Sequence, residues 1–464
     1  MEIRFLDGWP VRSAQVYVSG LVTDHVMIDG QICLWADDDP AQWRAEDLQV
    51  LWDRLDNWAR AAAGGFSEGD RALDAWALFP GLASLTAELD LPALLGTGTD
   101  GFIKELHAVT HGALLRVGAD PTDAPLHGVL YFRSHMGRCP RSFDEFRSVL
   151  RRRQREDLGR RLLSRTDTAE NIPSGGVDFA ILVWPSHGQF DALVLSFSGN
   201  LPNVAAVPNR TTPSDIPSRK KRAGPDASLL EGKKVLIAGA GAIGGYVATT
   251  LAASGVSEMR IHDLDTLHLV NLPRHVEDVF AVGAPKALAV ASHIRGDSPW
   301  CDALALPRLA HDPQSLEEVV AGLDLVVDCT GTYSVTTALA VACAKLDVPM
   351  ITGALYHRGS LFRVCRQGAG DVPLLERHLC SDYVALPPDE SGPTERGFLE
   401  LGCTAPVHNS PPVAVLRAAT EVSVWSIDLL TGRLNLPDEE VVVLSPLQNA
   451  PFDLLGPVKK RDAA

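Results

Sequence analysis

The chain has 464 residues, of which 46% are hydrophobic and 22% are charged. This length suffices for two or three domains, and the composition is ordinary for a globular protein. The net charge of −16 argues against nucleic acid as a main partner, because phosphate backbones attract basic surfaces. The start of the chain lacks the basic and then apolar pattern of a secretion signal, so we expect cytoplasmic residence without a membrane span. The eight cysteines form no Cys-x-x-Cys pair, which argues against a disulfide framework and a zinc site.

The first informative stretch covers residues 1–75. Ala14–Gly20 alternates like a β-strand, and a helix with an apolar stripe is predicted from about residue 45 to residue 63. Between them lies Gly30-Gln31-Ile32-Cys33-Leu34, followed by a tryptophan at position 43. From the residues alone, the plain interpretation of Cys33 is a buried core cysteine.

The same stretch resembles the ubiquitin-conjugating enzymes, in which Gly-x-x-Cys-Leu follows a His-Pro-Asn motif. The resemblance implies that Cys33 carries a thioester. It places His25 where an asparagine normally stabilises the oxyanion, and an imidazole can donate the same hydrogen bond. The usual N-terminal helix and first strands of that family are absent. Residues 1–75 are therefore predicted to form a short or truncated ubiquitin-conjugating-enzyme-like domain.

A middle α/β region is predicted at residues 76–202. The pattern indicates helices at Phe102–Leu115 and Ser142–Leu163. Three apolar runs predict strands, at Gly128–Phe132, Phe179–Trp184 and Ala192–Phe197. By its position this region could be a degenerate second adenylation half, although no motif supports that interpretation directly.

Residues 203–228 read as a linker. They contain Pro, Ser and Thr with the cluster Lys220-Lys221-Arg222 and have little apolar content. Such a linker would let the first domain move relative to the domain that follows.

A nucleotide-binding pattern begins at Val235. Val235–Ala238 reads as a buried strand and Tyr246–Ser254 as a helix, and between them lie Gly239, Gly241 and Gly244. A glycine loop in this setting lets backbone amides approach a phosphate at the helix N-terminus. The alternative is a tight turn without a ligand.

The residues after the second strand indicate which nucleotide is bound. Asp263 and Asp265 close that strand, where a carboxylate can hold ribose hydroxyls. Asn271, Arg274 and Lys286 follow. A nicotinamide-dependent oxidoreductase has no use for these three residues. An enzyme that lets a carboxylate attack the α-phosphate of ATP needs arginine, lysine and Mg²⁺ to neutralise charge, so the pattern favours ATP with Mg²⁺.

With these motifs, residues 226–430 resemble the ThiF/MoeB-type adenylating family, which includes the ubiquitin-activating enzymes. The resemblance implies that the ATP phosphates lie against Gly239, Gly241 and Gly244. It implies that Asp265 holds the ribose, with Asp263 nearby. The triphosphate and the charge that develops on the α-phosphate would be contacted by Asn271, Arg274 and Lys286.

The predicted strand ending at Asp328 resembles the Asp-Cys-Thr-Asp-Asn segment of that family. The second aspartate of the segment helps to place magnesium, and here its position is occupied by Gly331. Asp328 is the candidate metal ligand that could take over this role.

A second candidate nucleophile is Cys403, in Gly402-Cys403-Thr404-Ala405-Pro406. The segment resembles the loop that carries the thioester cysteine in ubiquitin-activating enzymes. A helix predicted at about Val413–Leu430 follows, and a nearby helix N-terminus would lower the pKa of the thiol. The alternative is a structural loop cysteine.

Together these motifs predict an α/β protein whose residues 229–464 form a Rossmann-like ThiF-type domain, with a mostly parallel sheet and helices on both faces. The expected function is ATP-dependent adenylation of the C-terminus of a ubiquitin-like protein. Thioester formation and transfer to a target through the fused conjugating domain would follow. The resemblance extends to bacterial antiviral operons, which implies a companion peptidase that removes the modifier. We expect a homodimer, and neither nucleic acid nor a membrane as a partner.

Three alternatives remain open from the sequence. One is an adenylyltransferase that serves sulfur transfer in cofactor biosynthesis. Another is a nicotinamide-dependent oxidoreductase, and the third is a non-catalytic scaffold.

Overall fold

The computed structural model describes residues 1–7, 14–23, 25–32, 34, 48–66, 73–118, 120, 122–186, 188–307, 309, 312–388, 397–398 and 407–458. The chain divides into two compact units, Met1–Ser218 and Arg219–Ala464.

The first unit begins with a two-stranded sheet and a helix. β1 (Glu2–Arg4) pairs antiparallel with β2 (Gln15–Tyr17), and α1 spans Leu48–Gly64. Leu51 and Leu55 of α1 belong to the same small buried cluster as Val16 of β2. The predicted strand is therefore present with a narrower range, and the predicted helix is present over its described part, Leu48–Gly64.

The rest of the first unit is a closed β-barrel. Its strands lie in the order β3-β5-β4-β6-β7-β8-β9. Their bounds are β3 Thr86–Leu89, β4 Ile103–His111, β5 Leu114–Val117, β6 Leu126–Phe132, β7 Phe179–Ser186, β8 Gln189–Ser198 and β9 Ala205–Pro213. The helices that accompany them are α2 Leu91–Leu95, α3 Phe143–Val149 and α4 Arg152–Leu163, with a 3-10 turn at Ala75–Leu78.

The central strands of the barrel are buried on both faces, which explains their continuous apolar sequence. In β7, Ile181 packs with a cluster that includes Leu106 of β4 and Leu115 of β5. Its neighbour Leu182 packs with Phe146 and Leu158 of α3 and α4. Since successive strand residues point to opposite faces, this alternation requires apolar residues throughout.

The structure corrects three sequence predictions in this unit. The predicted helix at Phe102–Leu115 is wrong, because β4 and β5 occupy this stretch and barrel pairing overrides the helix-forming residues. The single helix predicted at Ser142–Leu163 is broken at Leu150 and Arg151, whose backbone is extended. Since the strands close into a barrel with mixed parallel and antiparallel pairing, the middle region does not have the open parallel sheet expected of a second adenylation half.

The predicted linker at residues 203–228 is also largely structured. β9 (Ala205–Pro213) pairs with both β8 and β3 and closes the barrel. Its Pro208 and Pro213 led to the interpretation as a linker. Two short helices follow, α5 (Ile216–Lys220) and α6 (Ala227–Leu230).

The second unit contains an eight-stranded sheet in the order β12-β11-β10-β13-β14-β15-β18-β19. The strands are β10 Lys234–Ala238, β11 Glu258–His262, β12 Asp302–Leu306, β13 Leu325–Asp328, β14 Met350–Tyr356, β15 Leu361–Gln367, β18 Glu439–Val443 and β19 Gly456–Pro457; a separate pair is formed by β16 Gly397–Phe398 and β17 Val407–His408. The longer helices are α7 Gly244–Ser254, α8 Lys286–Asp297, α9 Pro313–Val320, α10 Tyr333–Leu346 and α11 Pro412–Leu430. 3-10 turns lie at Leu269–Arg274, Val279–Ala281, His357–Gly359 and Arg377–Leu379.

Strands β12, β11, β10, β13 and β14 run parallel, and the others are antiparallel. β10 comes first in the chain and lies between β11 and β13, so the strand order reverses beside it. In open α/β sheets this reversal leaves a crevice at the carboxyl ends of the strands, where ligands bind. The predicted Rossmann-like architecture is confirmed for this unit.

Helices cover both faces of the parallel strands. Val235 and Ile237 of β10 pack against residues of α7, α8 and α11, whereas Leu236 and Ala238 pack against α9 and α10. The polar residues therefore lie beyond the carboxyl ends of the parallel strands, at one edge of the sheet. Among the helices that the structure describes, none combines the length and apolar character needed to cross a bilayer.

Candidate nucleotide site at the carboxyl edge of the parallel sheet

The glycine loop follows β10 at the point where the strand order reverses. Gly239 has a φ of +88°, and a Cβ atom there would lie 3.1 Å from the backbone of Cys329. A Cβ atom at Gly244 would overlap the carbonyl oxygen of Gly239. At Gly241, by contrast, a Cβ atom would meet no atom within 4 Å. Gly239 and Gly244 are thus required by packing, while Gly241 leaves free space over the loop of the kind that a phosphate group needs.

Asp263 fixes the backbone of the loop. One carboxylate oxygen accepts a hydrogen bond from the Ala240 amide at 2.7 Å, and the other accepts from the Asp265 amide at 2.7 Å. Both oxygens are therefore engaged inside the protein. Asp263 supports the site, and Asp265 is the more exposed of the two predicted carboxylates.

Asp265 is linked twice to Lys286. The Lys286 ammonium lies 3.0 Å from the Asp265 carboxylate, and the Lys286 amide donates to the Asp265 carbonyl at 2.9 Å. The lysine side chain is only 12% exposed, whereas that of Asp265 is 58% exposed. The predicted lysine and carboxylate thus lie together, with the carboxylate facing solvent.

Asn271 and Arg274 lie in the 3-10 turn at Leu269–Arg274. The Asn271 side-chain oxygen accepts from the His268 amide at 2.9 Å, which stabilises the start of the turn. Arg274, at its end, is half-buried. The structure brings this turn and the glycine loop together through the residue that follows Arg274.

That residue is His275, which the sequence analysis missed. It is 5% exposed, and its Nε2 lies 2.9 Å from the carbonyl oxygen of Ala240 in the glycine loop. Tyr246 donates from its hydroxyl to the His275 carbonyl at 2.9 Å. A histidine directly after Arg274 gave no sequence signal, because only the tertiary structure places it against Ala240.

Asp328 lies at the end of β13 and is 1% exposed. Its carboxylate accepts from the Thr330 amide at 3.0 Å and the Thr330 hydroxyl at 2.7 Å. The Thr336 and Thr352 hydroxyls also donate to it. Four hydrogen bonds thus satisfy this buried carboxylate without a cation. Its assignment as a metal ligand stays a prediction.

The described residues fit a nucleotide better than a preassembled magnesium site. The free space over Gly241 lies beside the helix N-terminus, which suits phosphate. No group of three or more His, Cys, Asp or Glu side chains in the described part of the chain is arranged to hold a metal ion. Mg²⁺ is commonly held by one or two carboxylates, substrate phosphates and water, and Asp265 is the exposed carboxylate in this site.

The predicted nucleophiles Cys33 and Cys403 lie outside the described residues. His25 is described and is 6% exposed, with its ring stacked on that of Phe66 at 3.6 Å. The loop that carries it is held by the guanidinium of Arg141, which donates to the carbonyl oxygens of Thr23 and Val26. The predicted oxyanion role of His25 stays a prediction.

Other cysteines of the second unit are buried core residues. Burial raises the pKa of the Cys301, Cys343 and Cys365 thiols to about 12 in each case. They are therefore protonated at neutral pH and poor nucleophiles. The apolar patterns around Cys329, Cys343 and Cys365 predict core positions; Cys343 and Cys365 are buried, and Cys329 is partly buried against the core.

Comparison with known proteins gives one family match. Residues 222–396 match the model of the ThiF family. The SAMP-activating enzyme E1 of Haloferax volcanii is 36% identical over 131 residues, which are 27% of this chain and 47% of that protein. The ATP-dependent ubiquitin transferase-like protein Cap2 of Enterobacter hormaechei is 28% identical over 205 residues, or 44% of this chain and 32% of that protein.

One further relative was found by sequence similarity and another by structural similarity. The molybdopterin-synthase adenylyltransferase of Escherichia coli is 32% identical over 126 residues, or 27% of this chain and 50% of that protein. The crystal structure of E. coli MccB is 18% identical with a TM-score of 0.38, and the match covers 48% of this chain and 62% of that one. The chain thus covers half or less of the length of each of the three curated relatives and 62% of the MccB chain. The family match falls on the parallel sheet of the second unit and on its glycine loop.

Proposed function

We propose that this chain uses ATP to adenylate the C-terminal carboxylate of a small ubiquitin-like protein and then transfers the acyl group through cysteine thioesters to a target protein. One observation carries this proposal. The glycine loop, the Asp265–Lys286 pair and the Arg274 turn meet at the carboxyl edge of one parallel sheet. This combines space for phosphate with cationic side chains, as attack on an α-phosphate requires.

In the first step, a carboxylate oxygen of the modifier attacks the α-phosphorus of ATP. The bond to the β-phosphate breaks, pyrophosphate leaves, and an acyl-adenylate remains. The loop amides near Gly241 would hold the phosphates, and Asp265 would hold the ribose. Lys286 and Arg274 would neutralise the charge that develops at the α-phosphate, and Asn271 would contact the triphosphate.

In the next steps, the Cys403 thiolate attacks the acyl carbon, and AMP leaves as the carbon–oxygen bond breaks. The Cys33 thiolate then takes the acyl group by thioester exchange, which regenerates Cys403. A target amine finally attacks the acyl carbon of the Cys33 thioester; the carbon–sulfur bond breaks, the Cys33 thiol is released, and an amide remains. His25 would donate a hydrogen bond to the oxyanion in the steps at Cys33. Two cysteines on one chain raise the effective concentration for the handover.

Two of the similar proteins support this proposal, since one is a SAMP-activating enzyme E1 and another an ATP-dependent ubiquitin transferase-like protein. We therefore extend the proposal to a bacterial defence role, with a deconjugating peptidase as companion and a homodimer as the working form. The third relative, a molybdopterin-synthase adenylyltransferase, favours a second candidate function: adenylation for sulfur transfer in cofactor biosynthesis.

The decisive experiment measures pyrophosphate–ATP exchange by the full chain with candidate modifier proteins, followed by non-reducing gels. Wild type is compared with Cys33→Ala, Cys403→Ala and the double variant. Cys343→Ala, which changes a buried core thiol, serves as the matched control.

We expect exchange to survive both single substitutions, because adenylation precedes the cysteine steps. The Cys403→Ala variant should lose every thioester adduct, whereas Cys33→Ala should keep one and lose the conjugate. Unchanged product in Cys33→Ala would overturn the conjugating role and favour sulfur transfer. Reduced-nicotinamide binding without exchange would instead support an oxidoreductase, and failure to bind ATP in calorimetry would support a scaffold.

A further inference from the structure

His275 connects two loops of the nucleotide site. Its Nε2 lies 2.9 Å from the Ala240 carbonyl oxygen, and its Nδ1 lies 3.2 Å from the Glu277 amide. The residue before it is Arg274, at the end of the 3-10 turn. One side chain thus contacts the glycine loop on one side and the chain just beyond the arginine turn on the other.

The two contacts permit a single protonation state of the imidazole. A carbonyl oxygen only accepts, so Nε2 must carry a proton to bond Ala240. A backbone amide only donates, so Nδ1 must be unprotonated to accept from Glu277. Both bonds therefore exist only in the neutral Nε2–H tautomer.

The surroundings leave this imidazole little freedom. A Cβ atom on Gly245 would lie 3.1 Å from Val276 and 3.7 Å from the His275 ring. The Tyr246 hydroxyl holds the His275 carbonyl at 2.9 Å. Since Asp263 accepts from the Ala240 amide, the Ala240 residue is held at both its amide and its carbonyl group.

We propose that His275 is a positioning residue that holds the Arg274 turn against the glycine loop, so that protonation of its imidazole weakens ATP binding. This inference rests on the proposed function only in taking ATP as the ligand. The two hydrogen bonds of the His275 ring, to Ala240 and to Glu277, are called the tether below. They are present in the nucleotide-free protein and can be measured there.

The charged groups around His275 favour its neutral form. Burial lowers the pKa of His275, the bond to Ala240 raises it, the Lys286 ammonium lowers it and the Asp263 carboxylate raises it, in that order of size. Burial also raises the pKa of Glu277, against the opposing effect of His293 on α8. The other titratable residues on these elements are Tyr246 of α7, Arg274 of the turn, and Arg295 and Asp297 of α8.

The direction of the pH effect follows. The pKa of His275 lies below its ordinary value of 6.5, so the tether is intact at neutral pH. As the pH falls through the lowered value, Nδ1 gains a proton that faces the Glu277 amide. That hydrogen bond is lost, whereas the Nε2–H bond to the Ala240 carbonyl persists, so the chain just beyond the Arg274 turn is no longer fixed to the imidazole.

The test compares ATP affinity by calorimetry between pH 8 and pH 5 for the wild type, His275→Gln and His275→Leu. Glutamine can still donate to the Ala240 carbonyl but does not titrate, and leucine can do neither. His262→Gln is the matched control, since His262 is another buried histidine at this edge and its ring bonds Pro307 rather than Ala240. Because ATP itself titrates in this range, the difference between wild type and His275→Gln isolates the histidine.

We expect His275→Gln to bind like wild type at pH 8 and to lose less affinity at pH 5. His275→Leu should bind about tenfold more weakly at every pH, the size of one lost hydrogen bond. Identical pH profiles for wild type and His275→Gln would overturn the inference.

A second measurement does not depend on nucleotide binding. ¹⁵N spectra of the free protein should show His275 as the neutral Nε2–H tautomer, and hydrogen exchange of the Glu277 amide should be faster in His275→Leu. An Nδ1–H tautomer or unchanged exchange would refute the tether. A protein that keeps the tether but binds no ATP at any pH would overturn both the proposed function and the ATP part of this inference, and would leave the tether itself established.

Discussion

The carbonyl oxygen of Gly239 occupies the point at which a Cβ atom on residue 244 would stand. The third glycine of the loop is therefore required by the backbone of the first, and the first is required by its own positive φ and by the Cys329 backbone, while Gly241 between them faces open space. The same three-glycine pattern thus contains two packing glycines and one glycine that leaves room for a ligand.

This distinction predicts opposite outcomes for two glycine-to-alanine variants. Gly244→Ala should destabilise the second unit by about 1–3 kcal/mol, as expected for an overpacked site. Gly241→Ala should leave stability within about 0.5 kcal/mol, as for a substitution into open space, yet weaken ATP binding at least tenfold. Thermal unfolding and calorimetry measure the two effects. Full ATP affinity in a folded Gly241→Ala variant would show that the phosphates do not lie over this residue.

Replacing Lys286 with methionine should reduce pyrophosphate exchange by about 10- to 100-fold, the equivalent of a lost charge-assisted hydrogen bond. Stability should change much less, because the partner Asp265 is 58% exposed and remains hydrated. Lys345→Met is the matched control, since it removes a lysine that pairs with Glu317 in a salt bridge outside the site. Equal exchange in the two variants would exclude Lys286 from the reaction.

Asp328→Asn tests whether this carboxylate is structural or binds metal. An amide presents only one acceptor oxygen to the Thr330, Thr336 and Thr352 hydroxyls, so we expect a loss of about 1–3 kcal/mol in unfolding free energy. The Mg²⁺ concentration needed for half-maximal exchange should not change. A selective rise in that concentration would instead establish Asp328 as a metal ligand.

The second unit should become less stable as the pH falls below about 6.5, the ordinary pKa of histidine. Burial lowers the pKa of His262 and of His275, so the unfolded chain takes up protons before the folded one. The contribution of these histidines to the free energy of unfolding is thus complete at pH values above the ordinary pKa. It is lost as the pH falls toward the lowered pKa of the folded state, with a slope of at most about 1.4 kcal/mol per pH unit for each histidine. Denaturant titrations at several pH values measure it.

Substituting His262 with glutamine should flatten part of that slope. The exposed His111 of the first unit, replaced in the same way, provides the control. An unchanged slope in His262→Gln would show that this residue is not responsible.

In the barrel, Asp178→Ala should cost about 3–5 kcal/mol, because it leaves the Arg165 guanidinium buried without its partner. The two side chains are 1% and 0% exposed. Glu156→Ala, which removes the partner of the exposed Arg152, should cost less than about 1 kcal/mol. Urea unfolding of both variants measures the difference, and similar losses would contradict the buried pair.

Much of the second unit was predictable from sequence. Val235–Ala238, the glycine spacing and the helix to Ser254 form a continuous local pattern, and the structure contains all three as predicted. In a parallel strand buried on both faces, the apolar run reflects burial itself, so periodicity identifies it directly. The pattern after the second strand also predicted that Asp265 and Lys286 lie in one site.

The first unit was less predictable because its order depends on long-range pairing. Ile103–His111 contains good helix formers, and only pairing with Leu126–Phe132 and Leu114–Val117 makes it a strand. Pro208 and Pro213 indicated a linker, yet Ala205–Pro213 closes the barrel.

The sequence by itself therefore determined the Rossmann-like fold of the second unit, since local spacing and burial produce its strands, loop and helices. The tertiary structure alone decided which side chains support the site. His275 reaches Ala240 across 35 residues of chain, and Asp328 is satisfied by hydroxyls from neighbouring elements. Hydrogen bonds between distant segments leave no periodic trace in a sequence, because they depend on where the folded backbone brings the two partners together.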